Sequence, residues 1–325
     1  MYFDIAMPLT LFMVVLVAML LHKQVEGKLK SVFEEREFRV REAVLFVAAI
    51  SVTVSLVVFV PQMAVTTMFL FAYSMLLFIF TYLFSDFQKT WARIFCTAFL
   101  LVCFLAGTIS LFNISVNGTA AYGALAFFCL FGFTFLALLY EERRASTAER
   151  WYLAVTPPAL FVFLYLFFGG TPIWFPYLLN LYGIVFAVLI ILYLGSLFTW
   201  KTTLIFSTLL TIMDVILVLV TGTMVSAATT TVSLNLPVVV ALPILPALNG
   251  IMLLGLGDFF FAGLLAIQTF KKFGKSFAIS SVMAMSVSFF IFEALLLTYR
   301  PGPFPGTVMI ICGWLPLMLW KGLKH

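Results

Sequence analysis

Eleven runs of about twenty apolar residues, each bounded by charges or by Gly/Pro clusters, succeed one another at 5–22, 43–61, 64–85, 94–114, 121–140, 153–169, 177–199, 203–221, 250–270, 277–298 and 304–320. A helix of that length crosses the hydrocarbon core of a bilayer, and in lipid only helices and closed barrels satisfy their own backbone. The pattern predicts an all-α fold, a polytopic transmembrane helix bundle of about 9–11 spans. Pro157-Pro158 and Pro176 interrupt two of the runs. With 325 residues, 64% apolar and 10% charged, little chain is left for a soluble domain, which excludes most cytosolic enzyme classes.

The 18 Lys and Arg against 13 Asp and Glu form no continuous stripe, so nucleic acid is not an expected partner. The lipid bilayer is. Cys96, Cys103, Cys129 and Cys312 all lie in apolar runs and read as small hydrophobic groups. Alternating the connections between two sides puts 17 of the 18 basic residues together, with only Arg300 opposite. By the positive-inside rule that side is cytoplasmic, giving an extracytoplasmic N-terminus, a cytoplasmic C-terminus and a multi-pass protein of the cell membrane. The N-terminus lacks a basic region and reads as a retained first span rather than a cleaved signal peptide. The triplets Asn113-Ile114-Ser115 and Asn117-Gly118-Thr119 fall near an outward connection, and the mixed-charge segment Lys23 to Glu42 reads as a cytoplasmic amphipathic stretch.

Ten of the 13 acids lie at the terminus or in connections, leaving Asp214, Asp258 and Glu293 inside spans. A carboxylate at membrane depth costs several kcal/mol unless it is protonated, paired or wetted, so such residues are functional candidates. No Lys, Arg or His shares their spans. Asp214 stands seven residues before Thr221 on an outward span, and Asp258 eight residues after Gly250 on the next, inward one. At 1.5 Å per residue both lie roughly 10–12 Å from the outer ends and can face each other. Gly255 and Gly257, flanking Leu256 just before Asp258, allow a neighbouring backbone to come close. Glu293 reads as a protonated residue hydrogen-bonded to a neighbouring helix.

At these residues the chain resembles the GxGD intramembrane aspartyl proteases, the family of presenilin and signal peptide peptidase. Gly255-Leu256-Gly257-Asp258 matches the family motif, and Asp214 stands on the preceding span where the family carries its first catalytic aspartate. Leu236 to Pro243 resembles the family's proline-bounded strand segment before the motif, and the orientation is similar to that of signal peptide peptidase. The resemblance covers about the last 125 residues and divides the chain into N-terminal helices, 1–200, and a catalytic core, 201–325. It departs at Met213, where the family usually has Tyr. It departs again at Arg300 to Thr307, where only the proline character of Pro301, Pro303 and Pro305 follows the family's Pro-Ala-Leu. Literal Pro-Ala-Leu triples at 158–160 and 246–248 precede the motif and read as chance occurrences, and eleven runs exceed the family's nine spans.

The resemblance implies Asp214 and Asp258 as catalytic residues of an aspartic endopeptidase that cleaves transmembrane peptides or signal-peptide remnants. Two carboxyl groups a few ångströms apart share one proton, so one activates water and the other protonates the oxyanion. No cofactor or metal is implied. Cleavage needs an unwound substrate helix, and Val238-Val239-Val240, between Pro237 and Pro243, is an expected extended edge for it, with the Pro301–Pro305 segment as a second backbone wall. A metalloprotease or serine protease is disfavoured because only His22 and His325 are present. A prepilin-type peptidase would carry its other aspartate in a loop, unlike Asp214. Gly274-Lys275-Ser276 reads as a turn. The alternative is a proton- or cation-coupled transporter using Asp214 and Asp258 as its ion site.

Overall fold

The structure, a computed structural model, describes residues 3–32, 37–86, 88–112, 119–144, 150–246, 250–299 and 302–322. Among them nine helices are long and apolar enough to cross a membrane. The chain is thus a multi-pass, predominantly helical membrane protein. Arg300, Pro301, both glycosylation triplets except Thr119, and Ala247-Leu248 of the second Pro-Ala-Leu triple lie outside the described residues.

The described residues form twelve α-helices: α1 (Ala6–Val32), α2 (Val40–Phe59), α3 (Gln62–Leu83), α4 (Lys89–Phe112), α5 (Thr119–Arg143), α6 (Thr156–Phe168), α7 (Leu179–Leu197), α8 (Trp200–Val215), α9 (Thr223–Ser233), α10 (Leu256–Phe273), α11 (Lys275–Tyr299) and α12 (Gly306–Gly322). Two strands, β1 (Val239–Pro243) and β2 (Ile251–Gly255), make an antiparallel hairpin in which Val239 faces Gly255 and Pro243 faces Ile251. Three expectations change. The run expected at 250–270 begins as a strand, so Asp258 stands at a helix start instead of two turns inside one. Helix α1 continues past Lys23 through the first part of the polar segment. A separate helix, α9, fills part of the connection after Thr221, entered through Gly222 in the left-handed region at φ 68°. Pro157 and Pro158 occupy the first turn of α6, where a missing N–H costs nothing. Before Pro176 the helical path breaks at Phe175 (φ −103°, ψ 124°), as the steric demand of a following proline requires.

The chain forms two compact units, residues 1–65 with 179–325, and residues 66–178. The expected division at residue 200 falls inside the first: α1, α2 and α7 belong with the C-terminal helices. There α10 is the central element. Every residue from Phe259 to Thr269 is buried, and α1, α7, α8, α11 and α12 pack on it. Apolar helices in lipid gain little from the hydrophobic effect, so close packing and interhelical hydrogen bonds hold them together. A Cβ on Gly263 would lie 2.6 Å from Ile191, and one on Gly195 would lie 2.8 Å from Ile267, so α7 and α10 each accept the other's isoleucine. The Gln268 amide donates to Phe198 O at 2.7 Å, and Trp314 Nε1 donates to Thr269 Oγ1 at 3.0 Å. Phe198, Phe206 and Phe260 join α2, α8 and α10 around Ala43 and Val47. Asp4, read from sequence as a terminal acid, is fully buried and caps α1, accepting from the N–H groups of Ala6 and Met7, and also from Leu245 N beyond β1 at 2.8 Å.

In the second unit α4 packs on α5 and α5 on α6. A 3₁₀ turn, Trp151–Val155, leads into α6. All four cysteines are free, Cys96 and Cys103 buried and Cys129 and Cys312 exposed.

Candidate active site

The first carboxylate comes from the end of α8. Thr199 starts that helix, its hydroxyl accepting from Thr202 N at 3.3 Å, while Thr202 Oγ1 accepts from Thr199 N at 2.9 Å. Asp214 is the penultimate residue and 8% exposed. After Val215 the chain continues as one π-helical turn, Ile216–Val220, a local widening that often marks functional helices.

The second comes from the start of α10. The hairpin delivers the chain extended to Gly255, which caps the helix, so Leu256, Gly257 and Asp258 are its first three residues. A third-position acid lies close to the cap, and a Cβ on Gly255 would stand 3.5 Å from Asp258 Oδ2. The Gly-Leu-Gly-Asp spacing is therefore the spacing of a strand-to-helix junction that holds its acid in the first turn. Gly257 has open space where a Cβ would stand, and Gly255 faces Asp258 itself. The close backbone approach expected at these glycines is made from elsewhere.

It is made by α12. The Thr307 hydroxyl donates to Asp214 Oδ2 at 2.6 Å, and Thr307 N approaches the same oxygen at 3.4 Å. A Cβ on the adjacent Gly306 would stand 2.4 Å from Asp258 Oδ1. Two consecutive residues thus touch one carboxyl group each. Neither Gly306 nor Thr307 was singled out from sequence; a Gly-Thr pair following Pro305 at a helix start is the signal available there. Pro305 is buried immediately before them and Pro303 is exposed.

The strand segment is where expected, but its role as an open edge is not. Pro237 is buried and Val238 half-buried ahead of β1. One edge of β1 pairs with β2. The other is closed by α7: Asn180 donates through Nδ2 to Ala241 O at 2.6 Å and accepts from Ala241 N at 2.7 Å through Oδ1. Val239 O and the Val240 side chain lie against Gly183, within 3.2 Å of an added Cβ. Val238, Val239 and Val240 therefore offer no free edge. The outward edge of the hairpin is that of β2, whose Ile251 and Leu253 are 54% and 45% exposed.

Glu293 is 1% exposed on α11, its two oxygens without a hydrogen-bond partner among the described residues, and within electrostatic reach of Asp4 rather than of the aspartate pair. The expected bond to a neighbouring helix is not among those the described residues form. Among the described residues no group of three or more His, Cys, Asp or Glu could hold a metal. No protein-family model, curated protein or solved structure matches this chain.

Proposed function

We propose that the chain is an intramembrane aspartyl endopeptidase of the GxGD type, with Asp214 and Asp258 as its catalytic pair. The observation that carries this reading is the start of α12, where Gly306 and Thr307 bring the two carboxyl groups to one place in a bundle of apolar helices. Neighbouring carboxyl groups share one proton. The ionised one takes a proton from a water molecule as the oxygen attacks the peptide carbonyl. The protonated one donates to the developing oxyanion, and no covalent intermediate forms.

The substrate is a transmembrane peptide or signal-peptide remnant that unwinds locally, and its freed backbone groups need partners. The outward edge of β2 supplies them in this reading, by strand addition. That edge ends at Gly255, three residues before Asp258, so a paired segment runs toward the carboxyl groups. The positive-inside distribution sets the N-terminus outside and the C-terminus in the cytoplasm, in the cell membrane.

Cleavage of a model transmembrane peptide by the purified chain in detergent tests the reading, with a transition-state inhibitor of aspartyl proteases as a second arm. Asp214→Asn and Asp258→Asn are each expected to abolish cleavage, and undiminished cleavage by either variant refutes the assignment. Cation flux in proteoliposomes that collapses with both variants, without any peptide cleavage, would instead establish the carrier.

A further inference from the structure

Three helix ends meet in the first unit: α8 begins at Trp200, α10 ends at Phe273 and α11 begins at Lys275. Aromatic rings join them. Phe273 lies 5.5 Å from Trp200 and 5.4 Å from Phe277, centre to centre and edge to face. The Lys272 ammonium stands over two of these rings, 4.1 Å from the centre of Trp200 and 5.2 Å from that of Phe273. A ring face holds the charge in place and leaves the ammonium N–H donors for an oxyanion. Lys201, Lys272 and Lys275 are all exposed, and among the described residues none of the three is paired with a carboxylate. The neighbouring Lys271 is, with Glu26 at 2.9 Å.

The helices themselves do not offset this charge. Lys201 and Lys275 stand in the first turns of α8 and α11, where the helix dipole opposes a cation and favours an anion. From Trp200 to the C-terminus the only acids are Asp214, Asp258 and Glu293. Asp214 and Asp258 stand at the opposite ends of α8 and α10, and Glu293 in the far part of α11. Depth then selects among anions. Two membrane-length helices begin here, Trp200–Val220 and Lys275–Tyr299, so the Trp200 ring stands at headgroup level. From Lys201 the exposed face of α8 runs on at helical spacing through Leu204 and Ile212, which are 40% and 53% exposed. A phosphate at the lysines thus has an apolar track leading away from it into the bilayer, which a lipid fills and a soluble phosphate does not. On the orientation proposed above this end meets the cytoplasmic leaflet, where anionic lipids collect.

We propose that the foot of α8 holds one anionic glycerophospholipid, its phosphate at Lys272 and Lys201 beside the Trp200 ring and an acyl chain along Leu204 and Ile212. The binding is independent of any proteolysis.

Native mass spectrometry and thermal melting of the detergent-purified full chain, titrated with phosphatidylglycerol or with phosphatidylcholine of the same acyl chains, test it. One phosphatidylglycerol is expected to stay bound per chain and to raise the melting temperature more than phosphatidylcholine does. Lys272→Gln is expected to weaken phosphatidylglycerol binding about fivefold, the effect of one interfacial cation. Lys201→Gln is expected to do the same, which keeps the test decisive if Lys272→Gln fails to fold. Lys23→Gln, at an exposed lysine of α1, is expected to change nothing. An excess of inorganic phosphate is expected to leave the lipid bound. Equal binding of the two lipids, the behaviour of a nonspecific annular shell, overturns the proposal. So does a folded Lys272→Gln or Lys201→Gln chain that keeps the full preference, an equal loss in Lys23→Gln, which marks diffuse surface charge, or displacement of the lipid by inorganic phosphate.

Discussion

Thr307 donates its hydroxyl to Oδ2 of Asp214 at 2.6 Å, joining the first turn of α12 to the last turn of α8. The bond engages one carboxyl oxygen and leaves Oδ1 for the chemistry proposed above. Thr307→Val keeps the shape and removes the donor. A hydrogen bond to a charged group is worth about 1.5–3 kcal/mol, so turnover is expected to fall roughly 10- to 100-fold with little change in KM. Thr307→Ser is expected to restore most of it. Equal kcat in Thr307→Val and the parent chain would show that the hydroxyl does not position Asp214.

Gly306 constrains the other carboxyl group through space alone. An added Cβ would stand 2.4 Å from Asp258 Oδ1 and 2.7 Å from Cγ, so either the carboxyl group swings away or the start of α12 retreats. A side-chain end moves at less cost than backbone. Gly306→Ala is therefore expected to fold, with a melting temperature close to the parent's, and to lose on the order of 100-fold in cleavage rate because a reacting group is misplaced. Thermal melting and peptide cleavage measured on one preparation separate the two effects.

Asn180 imitates a neighbouring strand for Ala241, supplying both a donor and an acceptor. Asn180→Leu leaves a buried N–H and C=O of β1 unpaired, which costs about 1–3 kcal/mol each. The expected result is a clearly lowered melting temperature and faster amide exchange at Ala241 than at residues of α10. An unchanged exchange pattern would mean that the hairpin holds without α7.

Glu293 is a buried carboxyl group with no hydrogen-bond partner among the described residues and an acid, Asp4, within electrostatic reach. Such a group costs free energy in either protonation state. Glu293→Leu, of similar volume, is expected to raise the melting temperature in detergent, while Asp4→Ala lowers it by removing the cap of α1 and the tie to Leu245. Destabilisation by Glu293→Leu would show that the carboxyl group is satisfied after all.

The two aspartates were legible in the sequence because charge is rare in an apolar run and needs no tertiary knowledge to stand out. The hairpin was half legible. Val238 to Val240 announced a strand through β-branching and flanking prolines, whereas Ile251-Met252-Leu253-Leu254 joins an apolar helix without any change of composition. A short apolar run of that kind has no periodicity that separates strand from helix. The closure of β1 by Asn180, the approach of Gly306 and the bond from Thr307 join residues 61, 48 and 93 positions from their partners, Ala241, Asp258 and Asp214. No local pattern encodes such pairs. Asp4 and Glu141 misled for a related reason: both stand at the ends of apolar runs, where charge reads as solvated, and both are fully buried.

Glu141 and Arg150 close the second unit with a buried ion pair, Arg150 Nε to Glu141 Oε2 at 2.8 Å, between the end of α5 and the 3₁₀ turn. Taking two charges out of water is expensive, and their attraction offsets that cost only while both are present. Arg150→Met is expected to destabilise by about 3–5 kcal/mol, since it takes the nearest cation from a carboxylate that is fully buried. Glu141→Gln with Arg150→Met removes both charges and is expected to recover a substantial part of the loss. Denaturation midpoints of the parent, the two single variants and the double variant form a cycle. A double variant no more stable than Arg150→Met alone would show that the arginine holds the helix end chiefly through packing rather than through its charge.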